Sequence, residues 1–309
     1  MGGNGVLRFV RQPWGYWSNA LLHSGMLLII AASLFVALTQ QRGAVALVEG
    51  EVHEPRAPWT EDERGKLASP FALPKAVRLD RLHITFPGNN AAQQAASDIS
   101  FISEKGDADP RTVAVNSILH YQGLRIYQST NYGDAFTLEF VDTAGNVHGE
   151  RLLIHYPPGP DQAGYNDFRL PWLSHELATK YYADADKKTM KSTDPLLVMR
   201  LLDGNREQAR VSLRVGESGT LGELKVRLVK AEKWTSLIFV NISGMPLIFF
   251  GFLIVVLGTA LNYMSAPREF VALKLAEGYS VSWRATRFAD FYADEYGRIL
   301  EKMDEERLR

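Results

Sequence analysis

The sequence has no cysteine. That excludes a thiol–disulfide carrier, a thiolate metal site and a haem attached to this chain through thioethers. Neither sign of charge is in excess: 34 Lys and Arg stand against 35 Asp and Glu, for a net charge of −1. Nothing in that balance points to nucleic acid, and a chain that is 46% hydrophobic is not a disordered one. No internal repeat, phosphate-binding loop or nucleophile–base constellation is visible, so an enzyme acting alone has little support. Charge is also missing locally. Residues 17–39 and 237–263 contain no Asp, Glu, Lys or Arg and reach the roughly 20-residue length that spans a bilayer.

These two runs organise the rest. Arg8 and Arg11 precede the first, and Arg268, Lys274, Arg284 and Arg287 follow the second; Arg42 is a minor exception. The positive-inside rule therefore predicts both termini in the cytoplasm. The expected order is a cytoplasmic N-terminus (1–16), a first transmembrane helix (17–39), an extracytoplasmic β-rich domain (40–236), a second transmembrane helix (237–263) and a cytoplasmic tail (264–309) read as an amphipathic helix. A cleaved signal peptide ending near Ala44-Val45-Ala46 is the competing reading of the first run, but its apolar core is about twice an ordinary signal core, so a retained anchor is expected.

Between the runs, alternation at period two marks half-buried strands. VRLDRLHITF sets Val77 and Leu79 on one face, then Leu82, Ile84 and Phe86 after a slip at Asp80-Arg81 that reads as a bulge. FTLEFV, ARVSLRV and LKVRLV repeat the pattern, with turn signals at Gly145-Asn146 and Gly204-Asn205. The predicted fold is thus a membrane protein in which two transmembrane helices flank a mainly β domain, an antiparallel sandwich or open barrel. Between Pro157 and Pro195 the alternation stops. PPGPDQ reads as a loop and WLSHELATKYYADA as a helix, with Tyr156, Tyr165, Phe168, Trp172, Tyr181 and Tyr182 supplying either a surface for a flat apolar ligand or the segment's own packing core.

One polar residue stands out in the first run. His23 lies about six residues in, roughly 9 Å from the helix start. An ionisable group there suggests a functional site, although a neutral imidazole with one partner is tolerated near an interface. Proton relay needs titratable neighbours that neither run supplies, leaving metal or axial haem ligation as the chemical roles. The second run has no histidine, and Met245 and Met264 sit at its ends, so a second haem ligand would come from another chain. Asn19, one turn earlier, could orient the imidazole. In the second run Gly244, Gly251 and Gly258 recur every seven residues and form a stripe where another helix could approach closely. His53, His83, His120, His148, His155 and His175 show no convincing metal-ligand spacing.

Several segments in order resemble the ResB family, the smaller membrane component of the system II machinery that attaches haem to c-type cytochromes. They are the first run with its early histidine, followed by RGAVALVEGE; PFALPKAVRLDRLHITF with Ala96-Ser97-Asp98-Ile99; and SGMPLIFFGFLIVVLG. The most specific is VAVNSILHYQGLRIYQSTNYG, where Val115, Asn116, Tyr121, Gly123, Tyr127, Gln128 and Ser129 match the family pattern. There are departures: NISG stands where the family has an acidic entry, Ser117 where proline is usual, and two helices that commonly precede the first span have no counterpart. The resemblance implies a bacterial inner-membrane subunit paired with a ResC/CcsA-type protein. It also implies apocytochrome c as client, with His23 as an axial haem ligand on the haem route. Such a subunit shares catalysis and is no enzyme by itself. The alternative is a non-haem scaffold whose β domain binds a partner of another membrane complex, for example in electron transfer, and in which His23 is merely tolerated. Alternation of Val113 and Val115, then Leu124 and Ile126, already gives the motif a structural reading, so Tyr127 and Gln128 rank second as recognition residues.

Overall fold

The computed structural model describes residues 5–86, 94–204, 206–276 and 278–307; Asn205 of the expected Gly204–Asn205 turn lies outside them. Along the chain, β1 (Val6–Arg11) leads through a 3-10 turn (Pro13–Tyr16) into helix α1 (Trp17–Thr39). There follow β2 (Gln41–Val48), β3 (Val52–His53), β4 (Glu61–Arg64), β5 (Ala76–Thr85), β6 (Gln94–Ile102), β7 (Ala108–Ala114), β8 (Leu119–Tyr121) and β9 (Leu124–Val141). Next come β10 (Val147–His155), β11 (Gly164–Phe168), β12 (Glu176–Tyr182), β13 (Leu196–Asp203), β14 (Arg206–Leu213), β15 (Ser218–Leu221) and β16 (Leu224–Asn241). Helix α2 (Met245–Met264), β17 (Arg268–Leu275), β18 (Gly278–Ala285) and α3 (Ala293–Arg307) complete it. The chain divides into two compact units, Gln40–Ile242 and the two flanks Met1–Thr39 with Ser243–Arg309.

The β unit is built on β9 and β16, each 18 residues long, which pair antiparallel along most of their length. They lie at the centre of a sheet ordered β10-β9-β16-β2-β4. Alternation puts one residue in two inward, and the two halves of this spine face different partners. Ile126 of β9 and Leu237 and Phe239 of β16 pack with Val77, Leu79, Ile99 and Phe101 from the sheet β3-β5-β6-β7. Phe136, Leu138 and Phe140 of β9, with Val226 and Leu228 of β16, pack instead with Leu177, Tyr181, Leu197 and Met199 from β11-β12-β13-β14. Each such fully buried side chain contributes about 1.5–3 kcal/mol. Two antiparallel sandwiches thus share one spine, and no barrel closes. The slip at Asp80-Arg81 is real: the β5–β6 register shifts between Leu79 and Arg81.

Three expectations need correction. The WLSHELATKYYADA segment holds no helix; its centre is β12, paired on both sides with β11 and β13. Its apolar residues Leu173, Leu177 and Tyr181 recur every four positions, a spacing that suits one helix face and one strand face equally, and pairing on both edges decides for the strand. The second apolar run becomes helical only at Met245, because Leu237–Asn241 are still strand, paired with β2. Gly244 (φ 96) turns the chain and Pro246 opens the helix. The tail is a hairpin before it is a helix: β17 pairs with β18 and, across the sequence, with β1 of the N-terminus, leaving only α3 helical.

In the flanking unit, α1 and α2 pack antiparallel through small residues. A Cβ added at Gly25 would meet Val255 Cγ2 at 2.7 Å and Gly251 O at 2.8 Å; one at Gly258 would meet Leu22 N at 2.7 Å. The two backbones therefore touch where a side chain would hold them apart. Both helices are long and apolar enough to cross a membrane, with 23 and 20 residues giving about 35 and 30 Å against about 30 Å of hydrocarbon.

Candidate functional site

The glycine stripe of α2 finds its partner inside the chain. Gly251 lies against Gly25 and Ile29, Gly258 against Ser18 and Leu22, and Gly244 against Phe35 and Val36. Because the i, i+3/i+4 geometry of α1 commits Ser18, Gly25 and Ala32 to this contact, the opposite face is left outward. His23 and Asn19 are exposed on it. Leu27, Ile30 and Leu34 continue that face, all exposed and apolar. No hydrogen bond joins Asn19 to His23, and neither side chain has a hydrogen-bond partner among the described residues. The chain thus presents one imidazole on a hydrocarbon surface. What this face offers chemically is a single imidazole nitrogen, with no second histidine on either helix.

The family-motif residues are occupied structurally. Asn116 (φ 64) sits in a left-handed turn, and Gln122 (φ 47) with Gly123 (φ 85) makes the two-residue turn between β8 and β9. Tyr121 is buried and stacks on Phe101, with ring centroids 3.6 Å apart. Gln128 is a buried hub: Ser97 Oγ donates to its Oε1 at 2.5 Å, and its Nε2 donates to Thr235 Oγ1 at 2.5 Å and Ser129 O at 3.0 Å. Tyr127, paired with Ile238, points the other way and is half-buried.

Of the remaining histidines, His120 is exposed with no hydrogen-bond partner among the described residues, and the others lie against neighbouring side chains, His175 beside Ser174 at 3.0 Å. His53 is buried against Trp59, with burial lowering its pKa. His83 Nε2 lies 2.7 Å from Asp98, His148 stacks on Trp172 and faces Asp142 at 3.5 Å, and His155 leans on Trp234. No cluster of three or more metal-ligating side chains occurs among the described residues.

Sequence reasoning missed the polar centre of the β unit, where the two sandwiches meet. Asp134 is buried in the middle of β9; burial raises its pKa from 3.8 to about 6, against the opposing effects of the Ser192 hydroxyl and Lys233. Ser192 donates to it, and the Tyr156 hydroxyl donates to Met190 O nearby. The hydroxyls of Tyr156 and Tyr181 are pushed up, by burial first and the Asp134 charge second. Beside them opens a groove of about 1150 Å³ lined by Ile84, Phe86, Tyr156, Met190, Ser192 and Lys233. Asp134 shares the period-two face of Phe136, Leu138 and Phe140, so extending that alternation two residues back would have placed it inward.

Comparison with known proteins adds the relationships. The ResB-like family matches residues 10–287 of the chain. The cytochrome c biogenesis protein CcsB of Microcystis aeruginosa is 24% identical over 292 residues, covering 92% of this chain and 60% of that protein. The proteins of the same name from Picosynechococcus sp. and Synechococcus sp. are each 25% identical, covering 75% and 93% of this chain and 47% and 58% of their own lengths. The chain therefore spans about half to three-fifths of the length of these relatives.

Proposed function

The chain belongs to the ResB-like family, and we propose that it serves cytochrome c biogenesis as a membrane subunit that holds haem, as cargo, for attachment to an apocytochrome. The observation that carries this reading is the lone imidazole of His23 on the outward face of α1, without a hydrogen-bond partner among the described residues. In this reading His23 supplies one axial nitrogen. Leu27, Ile30 and Leu34 give the porphyrin an apolar neighbour, and a ResC/CcsA-type subunit contributes the other ligand. Haem bound there brings its iron and its vinyl groups; the thiols that react with them belong to the client, since this chain has none.

The same reading puts the helix pair in a bacterial inner membrane as two spans. Arg8, Arg11, Arg268, Lys274, Arg284 and Arg287 lie on the cytoplasmic side and the β unit outside. There the β unit would present apocytochrome to haem. Absorption spectroscopy of the complex purified with its membrane partner tests the haem role: reducible haem that is lost or spectrally altered in His23→Ala supports it. One observation favours the alternative, a haem-free scaffold, because Asn19 makes no hydrogen bond that would orient the imidazole. Identical haem in both preparations, or none in either, would leave the scaffold in its place.

A further inference from the structure

One end of the helix pair is aromatic. Trp14 in the turn before α1, Trp17 at its start and Tyr263 at the end of α2 are 71%, 61% and 64% exposed. The segment joining β18 to α3 is tied to this end: the Thr286 N–H and Oγ1 both donate to Pro267 O at 3.0 Å, and the Arg287 guanidinium donates to Ser18 Oγ at 3.4 Å. It carries two more outward rings, Phe288 and Phe291, which are 47% and 80% exposed. The Phe288 ring lies 6.1 Å from that of Tyr263.

Two features make this segment more than a solvated linker. Leaving a phenylalanine in water forgoes the free energy of burying its ring, and here two stand within four residues. Phe288 also holds φ 55, a left-handed conformation that bulky side chains rarely adopt and that carries backbone strain. Both costs are offset if the rings meet something apolar, and the surface continuous with them is the outside of two membrane-crossing helices.

We propose that Phe288 and Phe291 insert into the interfacial layer of the bilayer, completing with Trp14, Trp17 and Tyr263 an aromatic collar that straps the β17–β18 hairpin and α3 to the membrane surface. The proposal rests on the reading that the helix pair crosses a bilayer. Arg284 and Arg287 are balanced by Asp290 and Asp294 around the segment, so attraction to anionic lipid is not the driving force and zwitterionic lipid suffices.

The absence of native cysteine makes the test clean. Phe291→Cys, Leu253→Cys and Lys105→Cys, made singly in the full chain, carry a nitroxide label after reconstitution into phosphatidylcholine vesicles. Leu253 is an exposed mid-α2 residue and Lys105 an exposed turn of the β unit. Collision rates with oxygen and with a water-soluble nickel chelate then report depth. The expected result is that oxygen dominates at 291 as it does at 253, while nickel dominates at 105. Nickel dominating at 291 with oxygen at 253 overturns the collar and leaves the helices in the membrane. Nickel dominating at both overturns the membrane reading along with it.

Discussion

The β unit and the helix pair differ in where they carry their polar side chains: the first buries many of them, while the second turns Asn19 and His23 outward. Inside the β unit several buried polar groups are answered from within: Gln128 by Ser97 and Thr235, the Trp234 indole by Ile154 O at 3.1 Å, Asp134 by Ser192, while His53 Nε2 and Thr137 Oγ1 are buried without a hydrogen-bond partner among the described residues. In the helix pair the packed face is made of small residues whose backbones touch, and the one imidazole is turned outward without a partner. The outward imidazole is the position at which the proposed function expects a second component. The contrast also separates stability from function. Changes inside either packed region should be costly, whereas a change at His23 should cost almost nothing in folding.

The largest effect is expected from closing the gap between the helices. In Gly258→Leu the first added carbon meets backbone of Leu22 at 2.7 Å, so α1 and α2 should separate at a cost of about 3 kcal/mol or more. Thermal unfolding and limited proteolysis in detergent would read this, and a variant as resistant as the native chain would show that the pair is not closely packed.

Next comes a pH dependence. The Asp134 pKa is raised from 3.8 to about 6 in the fold by burial, so the native state keeps a proton that the unfolded chain releases. Stability should therefore fall as pH rises through that window, by up to about 3 kcal/mol, and stay low above it. The groups facing the carboxyl are Ser192, Lys233, Tyr156, Tyr181 and Glu49. Asp134→Asn removes the slope and is expected to be the more stable protein at pH 7, with little difference near pH 4. A native slope that survives in the variant would assign it to another group.

A smaller loss, about 2 kcal/mol, is expected for Gln128→Leu, which strands the hydroxyls of Ser97 and Thr235. Urea midpoints of the two proteins would measure it, and an unchanged midpoint would mean that water reaches the hub. Smallest of all, His23→Ala should shift stability by no more than about 0.5 kcal/mol, since the side chain is exposed and has no hydrogen-bond partner among the described residues.

Much of this architecture was readable from local pattern. Residues 17–39 coincide with α1, and the alternation in VRLDRLHITF foretold both the strand and its bulge. What escaped was non-local or degenerate. Leu173, Leu177 and Tyr181 fit either period, and only the pairing of β12 on both edges chooses. In the tail, Val271, Leu273 and Leu275, then Tyr279, Val281 and Trp283, do alternate about Gly278, a hairpin signal masked by the surrounding charge. The pairing of β1 with β17 joins residues more than 250 positions apart, which no local window can report. Of the candidate site, His23 was legible because an imidazole among aliphatics is conspicuous; that its neighbour Asn19 does not bond to it was not, since helical spacing gives proximity and not side-chain direction. The inward positions of Gln128 and Asp134 were in phase with Leu124 and Ile126 and with Phe136, Leu138 and Phe140; what alternation did not supply was the partners, Ser97, Thr235 and Ser192, which come from distant strands and loops.

The most direct test of the account is the absorption spectrum of the purified complex, oxidised and reduced, for the native chain and His23→Ala at matched folding. The account predicts haem bands in the native complex that are lost or shifted in the variant, with unfolding of the two proteins superimposable. Equal haem with equal spectra, or a complex with no haem at all, would contradict it and make the outward imidazole a bystander.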